Sequence, residues 1–594
     1  MERDPTQPHR YVLPEDTVPC KVNYQRRQHT DIIFGAINFL AYVAFLATGL
    51  VVVGRSHGRH VTLADGSRGL SEYYHADVQT CCVNNGNIGY VCDLYDVTVN
   101  NGGRRLSAGA SQFDGDEGIF DAFIEAPEII VGLLSVVLGV AILWTILLRF
   151  FAKPIVIFVE VVKIAGVITI GVFQQETSMK IFCFIGAALM VAYVVWQWKT
   201  IMFAAKMIKH STVSLKENPS ILAGSLLIKI LYAGNAGLFV LFFAKSFDVV
   251  EIADFDGYCD FNSPAYVQRI SVFWGFAYLW TVLLFGQMRL SVIATIVGSW
   301  HFHPEDKPSL SKAIRNIGPS YGTLSISSLI ATVAEKINRE ISQGVWRSFA
   351  TPFIFVTFPF QCCLCIIGKC IHTCVQMLTN YAVVLHVFTG ENFFGSAKNS
   401  FKILSRHFKD GFVTDITSRS LFTIASYAFS LCVALITWVW IDARFEANSM
   451  VLISTDFVWV LMYLIGILFN LYYPVLGLYI MIILNKFLRD YEKEKMNMME
   501  EPTNNWWIPP LAATFVGCIA MMFFTFMSSM FLDIITTLFL CFAIDKDNNV
   551  DLNGTEFEAL VKEMPQYVDY KEQQTSNDER FDPEVPVARA AKVY

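Results

Sequence analysis

The feature that most constrains this chain is a series of apolar runs, each long enough to cross a lipid bilayer. A helix needs about 20 mostly apolar residues to cross the hydrocarbon core of a membrane, and such runs recur from residue 32 to residue 541. Of the 594 residues, 54% are hydrophobic and only 16% are charged, whereas soluble domains carry about 25% charged residues. The sequence therefore predicts an all-α, polytopic helical membrane protein with about 10–12 transmembrane helices.

The apolar runs predict spans at about 32–54, 129–149, 154–175, 181–203, 220–244, 267–299, 318–342, 352–378, 419–441, 453–488 and 507–541. The run at 453–488 holds Pro474 near its middle, and a proline kinks or ends a helix. This run is either one long kinked helix or a hairpin of two short helices. The choice decides on which side of the membrane the C-terminus lies.

The spans divide the chain into five parts. These are a cytoplasmic N-terminal tail (1–31), a first transmembrane helix (32–54), an extracellular loop (55–128), a transmembrane helical core (129–545) and a partly disordered C-terminal tail (546–594). The polar start of the chain and the absence of a small-residue cleavage site before the first loop predict an uncleaved signal anchor.

Lysine and arginine collect on one side of the predicted bundle, which the positive-inside rule makes the cytoplasmic side. The opposite loops, 55–128 and 246–262, are rich in Asp and Glu. An outside compartment is oxidising, so the cysteines of these loops can form disulfides, whose pairing does not follow from the sequence. The cysteines concerned are Cys81, Cys82, Cys92 and Cys259.

The stretch from 266 to 336 organises the rest, because it predicts two membrane-length helices joined by a short basic turn. Gly286, Gln287 and Arg289 interrupt the first helix, which is too long to cross a bilayer without a tilt or a break. A broken helix with free backbone groups commonly lines a substrate site. Gln287 is therefore a candidate binding residue.

Three blocks of sequence carry a family resemblance. They are Phe273–Trp300 with Gly322–Ile330, then Asn380–Ala382 with Gly390–Lys398 and the helix after it, and last Trp507–Pro510 with Asp533–Asp545. In this order, over most of 215–550, they resemble the choline transporter-like family, solute carrier family 44. The segment 453–488 looks like an insertion relative to that family, and the first loop is shorter than in its best-known members.

The resemblance implies a helical transporter of about ten spans, with cytoplasmic termini and a large first extracellular loop. It implies choline or a related amine as the small-molecule substrate and the plasma membrane as the location. Alternating access across the lipid bilayer is the mechanism that we hypothesise for such a transporter. No cofactor is expected from the sequence.

Aromatic rings hold a quaternary ammonium group through cation–π attraction, often with a carboxylate nearby. Trp274 and Tyr278 are four residues apart and share a helix face, so they are candidate substrate-binding residues; the alternative is contact with lipid. Glu335 and Asp533 are the candidate carboxylates, and Asp533 matches the family's motif.

Charged residues inside spans are costly unless paired, and so they mark functional or structural contacts. Glu160 and Lys163 are three residues apart and are predicted to pair with each other. Lys229 lies within a span and needs a partner, for which Glu160 and Glu335 are candidates. The small residues Gly322, Ser325, Ser327 and Ser328 predict close packing between helices.

The sequence from 545 to 556 resembles a calcium-binding EF-hand loop. Its candidate ligands are Asp545, Asp547, Asn549, Asp551 and Glu556, but Val550 stands where the sharp turn needs glycine. The alternative is a solvated acidic turn. The sequon at Asn553 would carry a glycan only on an extracellular tail, and His301 and His303 are expected to be solvated.

Other function classes lack support in the sequence. No nucleotide-binding loop, zinc-protease motif or nucleophile elbow marks an enzyme, no basic arm marks a nucleic-acid partner, and no set of cysteines or histidines has the spacing of a zinc site. The rival hypothesis is a non-transporting membrane structural or regulatory protein, with the acidic loop as a receptor surface and the 545–556 segment as a calcium sensor.

Overall fold

The computed structural model of the protein describes residues 29–55, 83–84, 90–91, 127–173, 177–246, 251–255, 258–262, 265–302, 309–348, 354–445 and 508–547. Within these ranges seven helices are long and apolar enough to cross a membrane, or eight if one bent pair of helices forms a single span. The predicted all-α polytopic fold is confirmed. The predicted segment 453–488, most of the first loop and the tail beyond 547 lie outside the described residues.

The helices are numbered here in chain order. They are α1 (Ile32–Arg55), α2 (Pro127–Phe173), α3 (Thr177–Trp196), α4 (Trp198–Glu217), α5 (Ser220–Ser246), α6 (Ala265–Phe302), α7 (Leu310–Ser348), α8 (Ile354–Thr389), α9 (Phe393–Phe445) and α10 (Ile508–Asp547).

Two small antiparallel hairpins lie in the predicted outside loops. Strands β1 (Val83–Asn84) and β2 (Tyr90–Val91) pair in the first loop. Strands β3 (Glu251–Phe255) and β4 (Tyr258–Asn262) pair between α5 and α6, and Cys259 lies in β4 opposite Asp254. The other three candidate disulfide cysteines lie outside the described residues, so the disulfide prediction stays a prediction.

Helix α6 occupies the centre of the bundle. Every residue from 290 to 298 is buried, and α6 packs against α5, α7, α8 and α10. A helix that is buried all round must be surrounded by other helices rather than by lipid. The predicted central role of this part of the chain is confirmed.

Helix α5 differs, because it exposes large apolar residues along much of its length, including Leu226, Ile230 and Val240. These side chains suit contact with lipid tails. The other side of α5 packs against α6 and, less extensively, α1.

The two spans predicted at 129–149 and 154–175 are joined in one helix, α2. Its backbone leaves helical geometry only at Phe151 (φ −120°, ψ 24°), three residues before Pro154. A proline inside a helix removes one backbone hydrogen bond and bends the helix without reversing it. The predicted turn at 150–153 is therefore wrong, and a kink takes its place.

The span predicted at 181–203 is also interrupted. Helix α3 ends at Trp196, Gln197 is non-helical, and α4 departs at 73° from the last part of α3. Helix α4 buries an apolar and hydroxyl-bearing face against α2, α9 and α10. Lys199 and Lys209 lie on its exposed face.

Helix α7 forms over the predicted span 318–342 but is more polar than the seven membrane-length helices. It holds a run of buried hydroxyl side chains, which include Ser320, Thr323, Ser325, Ser327, Ser328 and Thr332. Hydroxyl groups inside a helix can donate to the preceding turn of their own backbone, as Ser325 and Thr332 do. Such a helix can be buried by its neighbours without being strongly apolar.

Candidate functional site

A group of paired charges lies in the interior of the bundle, where α6, α9 and α10 meet. Arg289 of α6 donates from Nε to Asp533 Oδ2 of α10 at 2.7 Å, and from Nη1 to Ser529 Oγ at 2.8 Å. Arg419 of α9 donates from Nε to Asp415 Oδ2 at 2.9 Å, four residues earlier on the same helix. We call these five residues the charged cluster.

The two ion pairs of the charged cluster also act on each other. The negative charges of both Asp415 and Asp533 stabilise the guanidinium of Arg419, and both arginines stabilise the carboxylate of Asp533. Burying such charges is tolerable only when each is paired and hydrogen-bonded. The charged cluster therefore links α6, α9 and α10 through groups that are costly to separate.

This arrangement corrects the predicted break in α6. The helix runs from Ala265 to Phe302 without interruption through Gly286, Gln287 and Arg289. Inside a membrane the backbone groups of an unbroken helix satisfy one another, and the charge of Arg289 is satisfied by Asp533. The polar residues that suggested a break are instead explained by contacts with neighbouring helices.

Aromatic rings from α5 and α6 meet along the contact between these two helices. Phe239 and Tyr278 stack with ring centroids 4.1 Å apart, and Tyr232 meets Phe285 edge to face at 6.3 Å. The hydroxyl groups of Tyr232 and Tyr278 are 3.5 Å apart. We call Tyr232, Phe239, Tyr278 and Phe285 the aromatic stripe.

A positive charge lies at the end of the aromatic stripe nearer the charged cluster. The Nζ atom of Lys229 is 4.6 Å from the centroid of the Tyr232 ring and 6.0 Å from that of Phe526. Lys229 has no carboxylate partner among the described residues. The predicted partners are wrong, because Glu160 pairs with Lys163 at 2.6 Å and Glu335 pairs on α7 and α8.

Trp274 and Tyr278, the predicted aromatic pair, both face α5, as their spacing indicates. Tyr278 belongs to the aromatic stripe. Trp274 is fully buried and donates from Nε1 to Thr48 Oγ1 of α1 at 2.9 Å. Its ring packs against Phe45 and Phe242, so it joins α6 to α1 and α5 at the outer end of the stripe.

The remaining predicted binding residues lie in two other places. Gln287 is buried and donates from Nε2 to Asn380 Oδ1 of α8 at 3.1 Å. Glu335 accepts hydrogen bonds from Arg339 at 2.8 Å and from His372 of α8 at 3.0 Å. The structure thus brings Asp533 into the charged cluster and Tyr278 into the aromatic stripe, and it places Glu335 at the α7–α8 contact.

The predicted close packing at the small face of α7 is confirmed. A Cβ atom added to Gly322 would lie 2.3 Å from the backbone oxygens of Thr30 and Asp31, at the start of α1. Asp31 Oδ2 accepts from Thr323 Oγ1 at 2.7 Å and from the backbone N–H of Phe393 at 2.8 Å. The start of α1 is therefore fixed to α7 and to the beginning of α9.

The first residue of the predicted calcium loop lies in a helix. Asp545 is buried in α10, and its Oδ2 is 2.9 Å from Nε2 of His301 at the end of α6. The prediction that His301 is solvated is therefore wrong. Asp547 ends α10, whereas Asn549, Asp551 and Glu556 lie outside the described residues. The described part of the chain contains no group of three metal-binding side chains.

Sequence reasoning missed three members of the aromatic stripe and the Asp415–Arg419 pair. The signals were present, because Phe239 follows Tyr232 by seven residues and Phe285 follows Tyr278 by seven, which is two helical turns, and Asp415 and Arg419 are four residues apart. No such local signal exists for Arg289 and Asp533, which are 244 residues apart in the chain.

The membrane-length helices, the buried ion pairs and the amphipathic α4 define the class of protein. It is an integral, multi-pass helical membrane protein with charged and aromatic side chains inside its bundle. Such interior charges are typical of proteins that pass a solute or ion between their helices.

Comparison with known proteins identifies the family. A family model described as plasma-membrane choline transporter matches residues 181–476, about half of the chain. The protein PNS1 of Gibberella zeae is 21% identical over 322 residues, which are 52% of this chain and 58% of the relative. Choline transporter-like protein 2 of Dictyostelium discoideum is 24% identical over 312 residues, which are 45% of this chain and 48% of that relative. The protein PNS1 of Cryptococcus neoformans is 23% identical over 311 residues, which are 48% of this chain and 54% of that relative.

The chain belongs to the choline transporter-like family, as the sequence blocks indicate. It spans about half the length of the curated relatives that it matches. The first two blocks of resemblance lie inside the matched region, and the block at 507–545 lies beyond its end. The match runs to residue 476, so the segment 453–488 is not wholly an insertion relative to the family.

Proposed function

We propose that the protein transports choline or a related small organic cation across the membrane by alternating access. Family membership supports a transporter rather than an enzyme, and one relative is named a choline transporter-like protein. The aromatic stripe is the observation that carries the proposal for this chain, because stacked rings between two membrane helices suit an ammonium group that has no proton to donate.

The position of the aromatic stripe suits a path between one fixed and one moving helix. Helix α6 is enclosed by its neighbours from residue 290 to residue 298, whereas α5 is exposed along much of its length and packs mainly on α6. In this proposal α5 and the second half of α1 tilt against α6. The rings of the stripe then become accessible first from one side of the membrane and then from the other.

The carboxylates have a supporting role in this proposal. Asp533 and Asp415 are engaged by arginines, so the organic cation is held by ring faces rather than by a dedicated carboxylate. Asp533 keeps α10 attached to α6 while α5 moves. The plasma membrane is the proposed location.

The rival function, a calcium-sensing regulatory protein, has less support among the described residues. The carboxylate of Asp545 accepts a hydrogen bond from His301 inside a helix contact, which competes with a role as a calcium ligand. The acidic outside loop would suit a receptor, but it also suits a transporter that attracts cations.

Uptake of radiolabelled choline tests the proposed function. Wild-type protein should show saturable uptake, and Tyr278→Phe should keep it because the ring remains. Tyr278→Leu removes the ring and should raise the KM about tenfold, since a desolvated cation–π contact contributes about 1–2 kcal/mol. Phe158→Leu, which changes a ring exposed on α2, is the matched control and should leave the KM unchanged.

Surface expression must be equal among these variants, measured by labelling of intact cells. Absence of saturable choline uptake by correctly inserted wild-type protein would contradict the proposed substrate. An equal KM in Tyr278→Leu and wild-type protein would contradict the proposed site.

A further inference from the structure

The ammonium group of Lys229 is held by rings alone among the described residues. It lies 4.6 Å from the centroid of the Tyr232 ring and 6.0 Å from that of Phe526. The first distance is within the range for cation–π attraction, and the second is at its limit. Tyr232 is also a member of the aromatic stripe.

The surroundings of Lys229 do not hold it strongly. The positive charge of Arg289 opposes that of Lys229, and the two carboxylates of the charged cluster are already hydrogen-bonded to arginines. A lysine side chain is long and rotates about four bonds, so its ammonium can leave the ring without any movement of α5. The Tyr232 ring is therefore a cation-binding site, and the Lys229 ammonium that occupies it can move away while its side chain stays attached to α5.

A second cation cannot use the same ring face at the same time. The Lys229 ammonium and an organic cation at the same ring face would lie side by side, and two positive charges so close together repel one another strongly in a medium of low polarity. An organic cation that moves along the aromatic stripe therefore meets Lys229 at its end, and one of the two must leave.

We propose that the Lys229 ammonium is a built-in competitor of the transported cation for the Tyr232 ring. It occupies the inner end of the aromatic stripe when the transporter is empty and is displaced when an organic cation arrives. This makes Lys229 a residue that sets the affinity and the selectivity for cations, and the inference rests on the proposed function for its substrate class.

The need to displace Lys229 determines which cations can bind to the aromatic stripe. To displace Lys229, an incoming monovalent cation must make more contact with the rings than the lysine ammonium does. A cation with several methyl groups covers more of the ring face. Such cations are therefore favoured over the ammonium ion or sodium. Lys229 thus excludes small inorganic cations from the stripe while it yields to a methylated ammonium.

Binding of tetramethylammonium to the purified full-length protein tests the inference without depending on transport. Lys229→Met keeps the length of the side chain but removes its charge and should bind tetramethylammonium about tenfold more tightly than wild-type protein. Lys229→Arg keeps the charge and should bind about as weakly as wild-type protein. Lys199→Met, which removes an exposed lysine from α4, controls for net charge and should have no effect.

The double variant Lys229→Met with Tyr232→Leu identifies the ring. It should lose the gain that Lys229→Met provides, because the vacated ring face is no longer present. Calorimetric titration provides the dissociation constants, and an unchanged elution volume in size-exclusion chromatography shows that each variant is folded.

The outcomes separate this inference from the proposed function. Equal affinity in Lys229→Met and wild-type protein, or no binding to either, overturns the inference. Tighter binding to Lys229→Met that persists in the double variant also overturns it, because the ring would not be the site. If the expected pattern appears while wild-type protein takes up no choline, the competitor role stands and choline as the substrate does not.

Discussion

The charged cluster and the aromatic stripe lie side by side in the bundle, but they hold their charges in opposite ways. In the charged cluster, Arg289 has a carboxylate at 2.7 Å and a hydroxyl group at 2.8 Å. At the end of the stripe, Lys229 has only ring faces among the described residues. The helices that carry the cluster are packed on several sides, whereas α5 is exposed along much of its length.

The difference indicates which region is fixed and which can exchange its contacts. Removing one partner of a buried ion pair costs about 3–5 kcal/mol, whereas a cation–π contact contributes about 0.5–2 kcal/mol. Thermal motion and substrate binding can overcome the smaller energy but not the larger. The charged cluster therefore stabilises the bundle, and the aromatic stripe is the part suited to bind and release a cation.

The largest effect should come from breaking the charged cluster. Asp533→Asn leaves the Arg289 guanidinium without a carboxylate and should lower the free energy of unfolding by about 3–5 kcal/mol. Thermal unfolding in detergent measures the loss. Arg289→Met combined with Asp533→Leu removes both charges and should recover most of the stability, and a double variant as unstable as Asp533→Asn would contradict the pairing.

A smaller effect should come from the attachment of α1, which packs through Phe45 on Phe239 of the aromatic stripe. Gly322→Ala places a Cβ atom 2.3 Å from the backbone oxygens of Thr30 and Asp31 and should destabilise the protein by about 1–3 kcal/mol, as overpacking does. Gly318→Ala is a matched control on the same helix, because nothing lies within 4 Å of its added Cβ atom. It should stabilise the helix by up to about 1 kcal/mol. Equal melting temperatures for the two variants would contradict the close contact between α1 and α7.

The smallest effect should come from the outer end of the aromatic stripe. Trp274→Phe keeps an aromatic ring but loses the hydrogen bond to Thr48, which should cost about 1 kcal/mol of stability. Because Trp274 is enclosed by α1 and α5, its replacement should change the KM for choline much less than Tyr278→Leu does. Uptake kinetics with matched surface levels compare the two, and a larger KM change for Trp274→Phe would shift the binding region outward.

The sequence predicts contacts within one helix better than contacts between distant helices. The spacing of Glu160 and Lys163 predicts their pairing, and the structure confirms it. The partner of Arg289 could not be predicted in this way, because Asp533 is 244 residues away and only the packing of α6 on α10 brings the two together. His301 and Asp545, equally far apart in the chain, escaped prediction for the same reason.

Polar residues inside apolar runs are the other source of error. Gly286, Gln287 and Arg289 suggest a break in α6, and Arg149 and Lys153 suggest a turn in α2. Helix α6 continues without a break and α2 is only kinked at Phe151. A helix satisfies its own backbone in a membrane and tolerates a kink or a paired charge more easily than exposed backbone groups. The aromatic stripe was within reach of prediction, because its rings recur at helical spacing on α5 and α6.

Labelling of a cysteine at position 239 tests most directly whether the aromatic stripe is the path of the cation. A methanethiosulfonate reagent that carries a trimethylammonium group should modify Phe239→Cys, and choline should slow this modification. The control is Val240→Cys, which is exposed on the neighbouring face of α5. It should react slowly, and choline should not protect it. Mass spectrometry of the peptide that contains the new cysteine keeps the 14 native cysteines from contributing to the signal. Modification of Phe239→Cys that choline slows is the predicted result. An unreactive Phe239→Cys, or one that reacts equally fast with and without choline, would contradict the aromatic stripe as the path.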